Sequence, residues 1–242
     1  MKPFGQLDDP RRRILIQALT AGFFSTPWGA AAQSIFGAAP RKLPPGQSIY
    51  RTSGRVRVNG ELATLATPVK AGDLIETGPG AELVFVHAEE AFILRGDSRL
   101  LVETPPAQSL LKTALRLATG KLLSVFGRGR PTRIVTATAT IGVRGTGVYA
   151  ESDPEQTYFC TCYGVADITA NNDRQSKETV SATHHDKPLY ITAKGAAGER
   201  IRRAPFINHT DQELMLIETL VGRTPPFVFP MNDYNAPRRE YP

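Results

Sequence analysis

The chain holds two cysteines, one tryptophan and three methionines in 242 residues. Two cysteines exclude the disulfide framework that holds small exported domains together. The fold must therefore come from apolar burial, for which 41% hydrophobic residues suffice. No run beyond residue 24 is long and apolar enough to cross a bilayer. The sequence lacks a Gly-x-Ser-x-Gly elbow, a phosphate-binding glycine loop and a His-Glu-x-x-His stretch, so the enzymes built on those motifs are excluded. Acidic pairs such as Glu89-Glu90 fall in apparent turns, where solvation accounts for them. A clustered basic face interleaved with aromatics is missing too. The net charge is +6, and the first 32 residues contribute four cations against two acids, so the rest carries only +4. Basic residues gather only at 128–133 and 200–203, which read as solvated loops, so no nucleic-acid partner is expected.

Turn formers, by contrast, are plentiful, with 21 glycines and 19 prolines. The N-terminus reads as an export signal. Arg11, Arg12 and Arg13 precede a short apolar stretch over residues 14–24, and Ala30-Ala31-Ala32 offers a cleavage site before Gln33. The run Arg12-Arg13-Ile14-Leu15-Ile16-Gln17 is similar to a twin-arginine export motif, with an ordinary secretory signal as the alternative and a retained membrane anchor as the third. Residues 1–32 are thus expected to be removed, which leaves no membrane span and places the mature chain in the periplasm of a Gram-negative bacterium. Residues 33–49, with Pro40 and Pro44-Pro45-Gly46, read as a flexible lead-in.

From there the pattern is that of strands. Arg55-Val56-Arg57-Val58 alternates, and Asn59-Gly60 suits a tight turn whose residues both take positive φ. Apolar runs at 83–86 and 91–94 flank a polar tip and predict a second hairpin. Further strands are predicted at 100–102, from Leu115 onwards, at 133–136, 143–150 and 188–191. A strand over 157–163 is predicted to end at Gly164, with 165–169 either pairing with it or continuing it. One helix is predicted at about 211–221: Thr210 and Glu213 form a capping box, Leu214, Ile217, Leu220 and Val221 share a face, and Gly222 stops it. The fold class is therefore all-β, a sandwich or roll of short antiparallel strands with one C-terminal helix.

Certain of these residues recur as an ordered set: Gly54-Arg55-Val56-Arg57-Val58-Asn59-Gly60, then Gly72-Asp73-Leu74-Ile75, Thr77-Gly78-Pro79-Gly80 and Glu82-Leu83-Val84-Phe85, then Gly120-Lys121-Leu122-Leu123 and Gly142-Val143-Arg144-Gly145-Thr146. Together they resemble a FecR domain over residues 50–151. The resemblance implies a periplasmic β module with a binding or sensing role and a protein or cell-envelope partner. A cleavable signal stands where a FecR-type sigma regulator has its cytoplasmic segment and membrane helix, so the sigma-factor role is not expected to carry over. Within the motif, Gly142 and Gly145 suit unusual backbone angles or close strand approach, and Arg144 and Thr146 are expected to tie a turn together. The alternative is that Arg144 grips a carboxylate. Residues 152–224 form a β-rich extension carrying the helix, and 225–242 a proline- and aromatic-rich tail.

Cys160 and Cys162 share one side of the predicted strand, with Cα atoms about 6.7 Å apart, at the far edge of disulfide geometry. They suit three roles: small buried hydrophobes, a strained redox pair, or soft ligands for copper or zinc with help from His184 or His185. Only one of two adjacent histidines can face the thiols from a strand. With His184-His185 read instead as a polar loop, no cofactor is required. His87 and His209 read as hairpin-tip and pre-helix residues without chemistry of their own. The expected function is recognition or signalling without catalysis; the alternative is metal binding or redox chemistry at the Cys-x-Cys pair.

Overall fold

A computed structural model of the chain describes residues 40–105, 108–111, 113–129 and 131–227. The predicted export signal, most of the predicted lead-in and the tail from residue 228 lie outside the described residues. The strands and the helix belong to one compact unit, Lys42–Val228.

Its elements in chain order are β1 (Ile49–Ser53), β2 (Val56–Val58), β3 (Glu61–Leu62), β4 (Leu74–Thr77), β5 (Glu82–His87), β6 (Glu90–Arg95), β7 (Arg99–Glu103), β8 (Ala114–Val125), β9 (Thr132–Val135), β10 (Ala139–Ser152), β11 (Gln156–Ala170), β12 (Asp173–Ala182), β13 (Leu189–Thr192), β14 (Ile201–Arg203) and the helix α1 (Asp211–Leu220). Among the described residues the fourteen strands form one sheet, and the fold is all-β with one C-terminal helix.

The sheet folds on itself because three long strands each serve two neighbourhoods. The first half of β8 pairs with β7 and β9, its second half with β6 and β10. The first half of β10 pairs with β9, its second half with β8. The second half of β11 pairs with β12, its start with β13. One layer thus runs β3-β2-β4-β7-β8-β9-β10-β11-β12, and the other β1-β5-β6-β8-β10-β11-β13-β14. The main core lies between them. Val56, Ile75, Leu100, Leu115, Ile134 and Ile141 from the first layer meet Leu83, Phe85, Phe92, Leu94, Leu122, Phe159 and Ile191 from the second. Truncating one of these to alanine costs about 2–5 kcal/mol.

The second layer is apolar on both faces, because it is covered twice. Side chains alternate along a strand, so Phe92 and Leu94 of β6 enter the main core, while Ala91 and Ile93 point to the other side. There they meet Tyr149, Tyr158, Cys160 and Cys162 of the sheet and Leu214, Ile217 and Leu220 of α1. The predicted capping box is present, with Thr210 Oγ1 accepting from Glu213 N and Glu213 Oε2 accepting from Thr210 N. Asn59 (φ 52°) and Gly60 (φ 86°) make the predicted turn.

Several details depart from the sequence reading. β10 and β11 span 14 and 15 residues, longer than predicted, the ten-residue β12 has no counterpart among the predicted strands, and β8 pairs with β9 in parallel. Glycines bend these strands rather than end them. Gly164 (φ +88°) does not terminate β11, which continues to Ala170, so of the two courses expected for 165–169 the chain takes continuation. A Cβ at Gly120 (φ +98°) would lie 2.0 Å from Ser98 Oγ, so only glycine fits where β8 changes layer.

The segment Gly142-Val143-Arg144-Gly145-Thr146 is no turn; it lies inside β10, with a register shift between Arg144 and Gly147. Gly145 (φ +59°) has the predicted positive φ, but Gly142 has neither that angle nor a close neighbour. Arg144 is exposed and pairs with Asp167 at 2.6 Å, which occupies the guanidinium. Thr146 is fully buried and its hydroxyl ties nothing together. Glu90 is not a solvated turn residue; it is 1% exposed and accepts from Thr132 Oγ1 at 3.2 Å. Residues 201–203 form the edge strand β14, with Arg202 over the Tyr190 ring. The described end of the lead-in is tied down, since Leu43 N donates to Leu220 O and Val86 N to Ser48 O.

Candidate metal centre

β11 supplies the first pair of donors. Cys160 and Cys162 are thiols, both fully buried, and both face the helix-covered side because they lie two residues apart on one strand. The turn after β12 supplies His185. Asp186 Oδ2 accepts from Thr183 N and Oγ1 and from His184 N, which shapes this turn. His185 N donates to Cys162 O at 2.9 Å, tying the turn to the strand beside the thiols. His185 takes φ +53°, a left-handed backbone that costs a non-glycine residue about 1–3 kcal/mol and turns its ring inward. The approach to α1 supplies His209. Its ring stacks on Tyr149 at 4.5 Å and meets Phe206 edge-on at 4.5 Å.

Second partners fix which ring nitrogen of each histidine is the acceptor. Nε2 of His185 lies 2.9 Å from a carboxylate oxygen of Asp211, which can only accept, so Nε2 carries hydrogen and Nδ1 faces the site. Nδ1 of His209 lies 2.7 Å from the Ile207 carbonyl, so it donates and Nε2 faces the site. The inward atoms converge: His185 Nδ1 to His209 Nε2 is 3.2 Å, Cys160 Sγ to His185 Nδ1 3.6 Å, and Cys162 Sγ to His209 Nε2 3.4 Å. All four lie within 4.8 Å of one another. A tetrahedral zinc ion, with bonds of about 2.3 Å to sulfur and 2.05 Å to nitrogen, sets these edges at about 3.4 Å for N···N and 3.6 Å for N···S.

Two inward-facing lone pairs 3.2 Å apart need a cation between them. In the metal-free chain a proton serves. Burial opposes charge on His185, yet the Asp211 hydrogen bond and the Cys160 sulfur prevail and raise it to about 9. Cys160 is held well below the ordinary thiol range, because hydrogen bonding from Cys162 outweighs burial and both histidines add to it. Burial pushes Cys162 well above that range. Asp211 is held low; burial opposes this, and His185 and His184 overcome it. Asp211 is also the first residue of α1, where the helix dipole favours an anion. The arrangement is that of a ligand histidine braced by a carboxylate.

Cys160, Cys162 and His185 are thus brought together, and His184 is not among them. His184 points outward, its side chain 49% exposed, with Nε2 3.0 Å from both Asp211 oxygens. Sequence reasoning missed His209 and Asp211. The signal available was their place beside a capping box, since a residue just before a helix N-terminus is held in a fixed direction.

Neither a protein-family model nor a curated relative matches the chain. Among solved structures, two crystal structures of a candidate anti-sigma factor from Parabacteroides distasonis ATCC 8503, at 1.65 and 2.50 Å resolution, are similar to it. Each is 12% identical with a TM-score of 0.44, and the match spans 54% of this chain and 58% of that one.

Proposed function

We propose that this chain is a non-enzymatic, metal-holding recognition module of the periplasm, with one zinc ion bound by Cys160, Cys162, His185 and His209. The observation that carries the metal reading is the convergence of four donors, three of them buried, with the histidine lone pairs set by Asp211 and the Ile207 carbonyl. Four protein ligands fill a tetrahedral shell, so the site is of the closed, structural kind and keeps no position for a substrate. The ion joins β11, the turn at 183–187 and the approach to α1, three segments far apart in sequence. It thereby fixes how the approach to α1 lies on the sheet. The compartment and the recognition role rest on the signal-like N-terminus and on the likeness of residues 50–151 to a FecR domain.

The test is elemental analysis of the full chain expressed with its own N-terminus and purified from the periplasm, beside C160S, C162S, H185A and H209A. The expected result is about one zinc per chain, lost in each variant. Copper in that amount would replace zinc as the metal. A wild-type chain that neither carries metal nor takes up either ion after reduction would overturn the reading.

A further inference from the structure

Three of the four donors are buried, and His185, at the rim, is only slightly exposed. Cys160 and Cys162 are fully buried, His209 is 3% exposed, and the His185 side chain 8%. An ion needs a route to them. His184 and Asp211 are the donors at this place that reach solvent, with side chains 49% and 23% exposed. With His185 they form a second cluster of metal-ligating atoms. An imidazole and a carboxylate 3.0 Å apart are a usual donor set for a divalent ion. Asp211 is common to both sides, because its Oδ1 also lies 2.9 Å from His185 Nε2. His184 and His185 are neighbours on one turn with their rings 4.7 Å apart, so one movement of that turn carries the outer and the inner ligand together.

We propose that His184 and Asp211 form a surface capture site that takes a zinc ion from solvent and passes it inward past His185 to the centre formed by Cys160, Cys162, His185 and His209. This inference rests on the metal reading above. His184 leaves the ion once it is inside. Removing His184 must therefore slow entry and exit by the same factor and leave the equilibrium constant alone. A merely supporting role, in which His184 braces Asp211 and so His185, makes the opposite demand. Loss of such an outer partner weakens affinity by about 10–100-fold, and the change falls mostly on release.

The test compares the reduced, metal-stripped full chain with His184→Ala by stopped-flow zinc uptake, and by release to a fluorescent chelator. The expected result is that uptake and release both slow by about tenfold while Kd stays within about twofold, a split that only an entry ligand produces. Equal uptake rates, or a weakened Kd with unchanged uptake, would overturn the inference. A wild-type chain that takes up no zinc fails the earlier reading instead, so the two failures are distinguishable.

Discussion

His209→Ala removes one ligand of the proposed centre, and its effect on metal-dependent stability can be worked through. Structural zinc sites of four protein ligands bind with about 10–16 kcal/mol, or about 3 kcal/mol per ligand, so losing one weakens affinity by roughly 100-fold. At free zinc 100 times the wild-type Kd, binding to the folded chain alone stabilises it by about 2.7 kcal/mol. For a unit of this size that raises Tm by about 5–10 °C. In His209→Ala the same zinc concentration is only about equal to Kd, and the gain drops to about 0.4 kcal/mol, or about 1 °C. The imidazole is 3% exposed and packed on Tyr149 and Phe206, so its removal also lowers the metal-free Tm. The assay therefore compares differences: Tm with buffered zinc minus Tm with chelator, for wild type, His209→Ala and His184→Ala. Wild type and His184→Ala should show the full difference and His209→Ala almost none. Equal zinc-dependent shifts in wild type and His209→Ala would refute the reasoning, whatever the absolute Tm values.

Zinc uptake near neutral pH should release about two protons per ion, one from His185, which sits at about 9, and one from Cys162, whose thiol is pushed high. Affinity should accordingly strengthen as pH rises towards 9; calorimetry in buffers of different ionisation enthalpy reads the proton count directly. Gly120→Ala should destabilise the fold by several kcal/mol, since a Cβ would sit 2.0 Å from Ser98 Oγ at φ +98°. Gly142→Ala, which meets nothing within 4 Å, should stay within about 0.5 kcal/mol of wild type in urea denaturation. Thr210→Ala should cost about 1 kcal/mol in the same assay, because it removes the acceptor for Glu213 N at the start of α1.

Local structure was legible wherever its cause is local. The Asn59-Gly60 turn, the hairpin at 82–95 and the Thr210 and Glu213 cap each arise from neighbours in the chain, and each is present. Strand length was not legible, because Gly120 and Gly164 are chain breakers by composition and become bends only when a second layer takes over the pairing. Glu90 looked solvated for the same reason, as its cover comes from Thr132, 42 residues away. At the candidate site, the strand period alone put both thiols on one side, and adjacency allowed only one of His184 and His185 to join them. Which histidine turns inward depends on a left-handed backbone at residue 185, and the fourth donor depends on where α1 docks. Neither is written in any local pattern.

The way β8, β10 and β11 each pass from one layer into the other bears on how the molecule comes apart. Two layers built from separate strands can peel from each other and leave each ladder whole. Here three strands are stitches through both layers, so parting the layers means unravelling the ladders on either side of every stitch. Melting should then proceed as one cooperative event, reported alike by the aromatic side chains under α1 and by the strands of the far layer. An ion gripped only on the helix-covered side would raise the melting point of β2 and β4 as surely as that of β11, although it touches neither.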